Sequence, residues 1–135
     1  MTLDDFVGLP YREGARGPHE YDCYGLVAAV FRAVRGVELP DWYQPTPGQQ
    51  GASRAISAAL AGEVDGGRCV RVNWPTDLPE EWDIAIVGSA DRPHHVGVFV
   101  AGGVLHASKA FGSAWHSLSR FMTFYPRTEF YRWHR

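Results

Sequence analysis

His95-Val96-Gly97-Val98-Phe99-Val100-Ala101-Gly102-Gly103-Val104-Leu105-His106 reads as an apolar run, a glycine pair and a second apolar run. The pattern predicts two antiparallel strands joined by a tight hairpin. With Gly102-Gly103 as a two-residue turn, Ala101 pairs with Val104. His106 then faces Phe99, His95 falls opposite Ala110, and the two histidines are offset along the hairpin by several residues.

The same texture extends outward from the hairpin. Strands are expected over 69–72, 84–87, 96–100, 104–107 and 130–133, with a weaker sixth over 114–118. Upstream of Gly66-Gly67 the pattern turns helical. A short helix is expected over 3–7, closed by Gly8-Leu9-Pro10, and a loop through Gly14, Gly17 and Pro18 delivers the chain to Cys23. From there Leu26, Val27, Val30, Phe31 and Val34 recur at helical spacing until Gly36 and Pro40 stop the pattern. Residues 41–50, with Trp42 and Tyr43, read as a loop, and the Ala-rich 52–61 as a second helix. Helices followed by a mostly antiparallel sheet of five to six strands make an α+β layer fold.

At 135 residues, with 45% hydrophobic and 13% aromatic content, the chain builds one core, and 1–135 is read as a single domain. Thirteen basic and 15 acidic residues leave a formal charge of −2, which argues against nucleic acid or an anionic membrane as partner. No apolar run approaches the roughly 20 residues that span a bilayer. Met1-Thr2-Leu3-Asp4-Asp5-Phe6 lacks a basic then apolar leader pattern, so synthesis without a signal peptide is expected. Cys23 and Cys69 stand alone, 46 positions apart, which does not make a disulfide framework. Cys69 reads as a core residue of an alternating strand. A zinc site from Cys23, Cys69, His95 and His106 lacks any ligand pair at zinc spacing, so neither metal nor cofactor is expected.

Cys23 is different because it stands where a loop becomes an apolar helix. Unpaired N–H groups and the dipole at a helix start favour thiolate over thiol. Amide cleavage by a thiolate needs an imidazole within hydrogen-bond reach and a polar group to orient that ring. His95 and His106 are the candidates, although a lone histidine on an apolar strand is more often a satisfied core residue. His94, pointing to the opposite face from His95, reads as a solvent-facing neighbour. His19, His116 and His134 are assigned to the surface.

These pieces together resemble the NlpC family of papain-like peptidases that cut bacterial cell-wall stem peptides. The resemblance lies in Asp22-Cys23-Tyr24-Gly25-Leu26-Val27, in Pro10-Tyr11 with the tyrosine twelve positions before the cysteine, in Trp82-Asp83-Ile84, in His95-Val96-Gly97 and in His106-Ala107-Ser108. It spans residues 8 to about 108. It implies a papain-like fold, Cys23 as nucleophile, His95 as general base and acid, and His106 as the residue orienting His95. It further implies Tyr11 lining the site, Asp22 binding the free amine of the stem peptide, and Tyr24, where the family commonly has Ser, bearing on substrate choice. A second departure is Glu13, where Trp is common.

The implied activity is hydrolysis of an amide bond in peptidoglycan stem peptides, at the D-γ-glutamyl bond to the diamino acid. The Asp-Cys-Tyr-Gly-Leu-Val variant and the small size look most like the subgroup of bacteriophage tails and gene-transfer-agent particles. Tail proteins are then the expected partners and the particle the expected location. The alternatives are a structural tail-tip or assembly protein that keeps the fold, and another thiol amidase or acyltransferase.

Overall fold

A computed structural model describes residues 2–39, 66–89 and 92–133. The loop expected over 41–50, the helix expected over 52–61, His134 and the side chain of His94 lie outside the described residues. A 3₁₀ turn, Leu3–Phe6, starts the chain. It is followed by helix α1, Cys23–Val30, which runs on as a π turn, Phe31–Arg35. Gly36, at φ 67°, ends it in the left-handed conformation that glycine adopts without strain.

Six antiparallel strands form one sheet: β1, Cys69–Arg71; β2, Ile84–Ser89; β3, Arg92–Val100; β4, Gly103–Ser108; β5, Gly112–Ser117; and β6, Thr128–Trp133. Their order is β1-β6-β2-β3-β4-β5. Helix α2, Leu118–Phe124, follows β5 directly and is capped by the Ser117 hydroxyl, which accepts from Arg120 N–H. Nothing in the sequence reading anticipated it.

The alternation along each strand sorts the core into two layers. Ile84, Ile86, Val96, Val98, Val100 and Leu105 face α1, where Leu26, Val27, Val30 and Phe31 are buried against them. Ala85, Val87, Phe99, Val104 and Phe130 face the other way and enclose Phe121 of α2. The architecture is therefore α+β, with α1 on one face of the sheet and α2 on the other.

The hairpin between β3 and β4 differs from its expected register. The two turn residues are Ala101 and Gly102, at φ 53° and 77°, and Gly103 already belongs to β4. Two consecutive positive φ angles make the turn whose twist suits a hairpin. Phe99 thus pairs with Val104 and Gly97 with His106. This shift by two residues decides the geometry of the histidines.

Candidate active site

The loop 8–22 is held by backbone bonds at both ends. Gly8 N–H donates to Ser113 O, Ser113 N–H to Leu9 O, and Leu9 N–H to the Ser113 hydroxyl, which ties the loop to β5. Tyr21 N–H donates to Pro10 O and Arg12 N–H to Tyr21 O, which brings Tyr11 beside the start of α1. Asp22 is the N-cap, and its Oδ1 accepts from Gly25 N–H at 2.6 Å. A cap of this kind satisfies one of the donors a helix leaves open at its start.

The same Oδ1 accepts from Arg16 Nη1 at 2.7 Å, and Gly14 N–H also donates to the carboxylate. Burial pushes the Asp22 carboxyl above its ordinary range, against the pull of Arg16. The structure thus places Asp22 in capping and ion pairing. Tyr24, the other neighbour of Cys23, is only 3% exposed. Its ring packs in the α1 core with the Arg16 guanidinium across it at 5.2 Å. Tyr11 is half-buried, and its hydroxyl donates to Glu13 Oε2 at 3.4 Å. Burial, with the nearby Cys23, Glu13 and Asp22, holds the Tyr11 phenol well above its usual value.

Cys23 is the first residue of α1. Its sulfur accepts from the backbone N–H groups of Tyr24 and Val96. Val96 lies one residue beyond the last β3–β4 pair, Gly97 with His106, so the sulfur stands at the open end of that ladder, next to His95 in sequence. Burial and the Asp22 charge push the thiol up to about 12, outweighing those two donors and Arg16. Burial thus opposes the helix start, which favours the anion.

His95 Nε2 and His106 Nδ1 share a hydrogen bond of 2.8 Å. Paired residues point to the same face, so His106 shares the face of Gly97 and of His95 two residues before it. The two rings meet on the diagonal because Gly97 leaves the intervening position empty. A Cβ there would lie 2.7 Å from Val104 Cγ1 and 3.2 Å from His106 Cβ. Burial lowers His95 to about 4. His106 is lowered to about 3 by burial, then by His95 and His116. Both rings are therefore neutral near neutral pH.

The relation is repeated on the next strand. His106 pairs with Ala114, and His116, two residues on, meets it diagonally with a 2.8 Å bond between His106 Nε2 and His116 Nδ1. The sequence alone assigns His116 to the surface. It is instead the half-buried end of a row His95, His106, His116. Tyr125, at the end of α2, stacks against His95 at 5.1 Å and stands edge-on to His106 at 5.9 Å. Sequence reasoning missed both residues. His116 becomes visible once the registers are known, whereas Tyr125 depends on an unanticipated helix. Among the described residues no cluster of three His, Cys, Asp or Glu side chains could hold a metal ion, and no helix is long and apolar enough to cross a membrane.

The family model for the NlpC/P60 family matches residues 8–123. The chain belongs to this family. NlpC/P60 members are cysteine peptidases that hydrolyse peptidoglycan. Protein P54 of Enterococcus faecium is 27% identical over 103 residues, 76% of this chain but only 16% of that protein's length. The NlpC/P60 domain of the peptidoglycan hydrolase SagA superposes with a TM-score of 0.60 at 18% identity, covering 95% of this chain and 89% of that one. An NLP/P60 family protein from Staphylococcus aureus, described as similar to a lipoprotein, gives 0.60 at 18% identity over 98% of this chain and 40% of that one. NlpC1 of Trichomonas vaginalis gives 0.57 at 20% identity over 96% and 41%. Likeness at these identities speaks for the NlpC/P60 fold.

Proposed function

We propose that this NlpC/P60 chain is a cysteine peptidase that hydrolyses the D-γ-glutamyl bond to the diamino acid in peptidoglycan stem peptides, with Cys23 as nucleophile, His95 as general base and acid, and His106 orienting His95. The observation that carries this reading is the thiol at the first turn of α1, hydrogen-bonded to the N–H of Val96, the residue that follows His95 in the chain, with His95 Nε2 engaged by His106. With Nε2 occupied, Nδ1 is the His95 atom left to take a proton.

The resting pair is neutral, thiol and imidazole, so the proton moves as the reaction proceeds. His95 Nδ1 removes the Cys23 proton while the sulfur attacks the carbonyl carbon. The oxyanion that forms is stabilised by N–H groups at the start of α1. His95 then gives its proton to the departing amine, leaving a thioester. Water, losing its proton to His95, attacks that thioester and releases a carboxylate. Tyr11 lines the cleft. Asp22 acts through the cap and Arg16, with amine recognition as its expected further part.

Incubation of the protein and of Cys23→Ala with diaminopimelate- and lysine-containing stem peptides, followed by mass spectrometry, tests the reading. Cleavage between D-glutamate and the diamino acid by the wild type alone is expected. Absence of any Cys23-dependent product from both wall types would overturn it. A place in a phage tail or tail-like particle rests on the Asp-Cys-Tyr-Gly-Leu-Val variant and is tested by searching purified particles for the protein.

A further inference from the structure

The histidine row carries more information than an orienting pair requires. A hydrogen bond between two neutral imidazoles uses one N–H and one lone pair, so the tautomer of each ring dictates that of the next. The bonds His95 Nε2 to His106 Nδ1 and His106 Nε2 to His116 Nδ1 allow two orders. In the outward order every ring carries its hydrogen on Nε2 and donates toward His116, which leaves a lone pair on His95 Nδ1. In the inward order every ring carries it on Nδ1, and His95 Nδ1 has no lone pair to offer. Only the outward order contains a base.

We propose that His116 is a positioning residue for the Cys23 chemistry, accepting the His106 Nε2–H so that the row stays in the outward order, and taking the charge when the row gains a proton. The proposal rests on the peptidase reading above. The balance is simple. A proton entering at His95 Nδ1 shifts the His95 Nε2 hydrogen to His106 Nδ1 and the His106 Nε2 hydrogen to His116 Nδ1. The row is then in the inward order with one added proton, and the imidazolium is His116, the most exposed of the three rings. Proton uptake from solvent produces the same state and removes the base. The acid limb of activity therefore belongs to the row as a unit.

The surroundings of His116 suit a ring kept neutral at rest. His106 faces it from β4 and Arg120 acts on it from α2, while Phe111 and Phe124 pack against it at 4.9 and 5.2 Å and bring no charge. Burial and then Arg120 both lower its proton affinity.

His116→Asn puts an amide oxygen where Nδ1 stood, an acceptor that does not titrate. His116→Phe removes the acceptor and keeps a ring between Phe111 and Phe124. With stem peptide as substrate, Asn is expected to rescue kcat at pH 8 to within about threefold of wild type. Phe is expected to lower kcat by on the order of tenfold with KM unchanged. The acid limb of kcat/KM should move to lower pH in the Asn variant. Nitrogen-15 spectra of histidine-labelled protein at pH 8 should show His106 protonated on Nε2, a readout that needs no substrate. Wild-type kcat and an unmoved acid limb in both variants, or a His106 protonated on Nδ1 in the wild type, would overturn the proposal. A wild type that cleaves nothing but shows the Nε2 tautomer would overturn the peptidase reading and leave the histidine order intact.

Discussion

Two glycines near the site are fixed by what a single carbon atom would strike. At Gly25 a Cβ would lie 2.5 Å from Ala15 O and 2.8 Å from Asp22 Oδ1, so Gly25→Ala is expected to displace the N-cap that sets the start of α1. Loss of the cap and the forced shift should cost on the order of 2 kcal/mol, read as a lower urea midpoint. At Gly97 the obstruction is Val104 and His106. Gly97→Ala should separate the His95 and His106 rings and lower activity more than stability, seen by comparing kcat with the urea midpoint. Both glycines were legible as parts of motifs, but their reasons lie in a returning loop and a neighbouring strand.

Cys23 itself titrates against its burial. With the thiol pushed up to about 12, alkylation by iodoacetamide should be slow at pH 7 and keep rising beyond pH 9. A rate already at its plateau by pH 7 would mean that the thiolate is the resting form. The helix start is legible in the sequence. The burial that opposes it comes from the folded surroundings and is not.

At the scale of elements, the hairpin was legible and its register was not. Gly102-Gly103 offers the obvious turn, yet the chain turns one residue earlier and places Ala101 at φ 53°, a conformation that disfavours a side chain. The cause lies outside the hairpin: Glu81 accepts from Ala101 N–H and Gly102 N–H. Ala101→Gly should relieve the strain and raise the urea midpoint by up to about 1 kcal/mol in stability, less what the added chain entropy removes. Trp82 shows the same tension at φ 75°. It is held by Phe31, whose ring meets it edge-on at 5.1 Å, and by the Arg35 guanidinium at 5.6 Å. Strands were readable from alternation, whereas α2 was hidden because Leu118 and Phe121 continue the apolar texture of β5.

Across the whole molecule the buried histidines make stability depend on acid. Both are lowered from 6.5 in the fold, to about 4 for His95 and about 3 for His106, so the unfolded chain binds more protons as pH falls below 6.5. Their contribution is fully present above pH 6.5 and is lost as pH falls toward 4 and 3, at up to about 1.4 kcal/mol per pH unit for each ring. Thermal melts between pH 7 and 4 should show this decline, and His95→Asn should flatten it. An unchanged slope in that variant would assign the acid sensitivity to other groups.

The bonds between Leu9 and Ser113 bear on how the protein is made. Cys23 leaves the ribosome long before residue 113, and until β5 forms, the loop that delivers the thiol has nothing to close against. Contacts this distant along the chain assemble slowly. A nascent chain therefore carries Cys23 as an ordinary solvent-exposed thiol, and completion of the sheet closes the loop that sets its place at the start of α1.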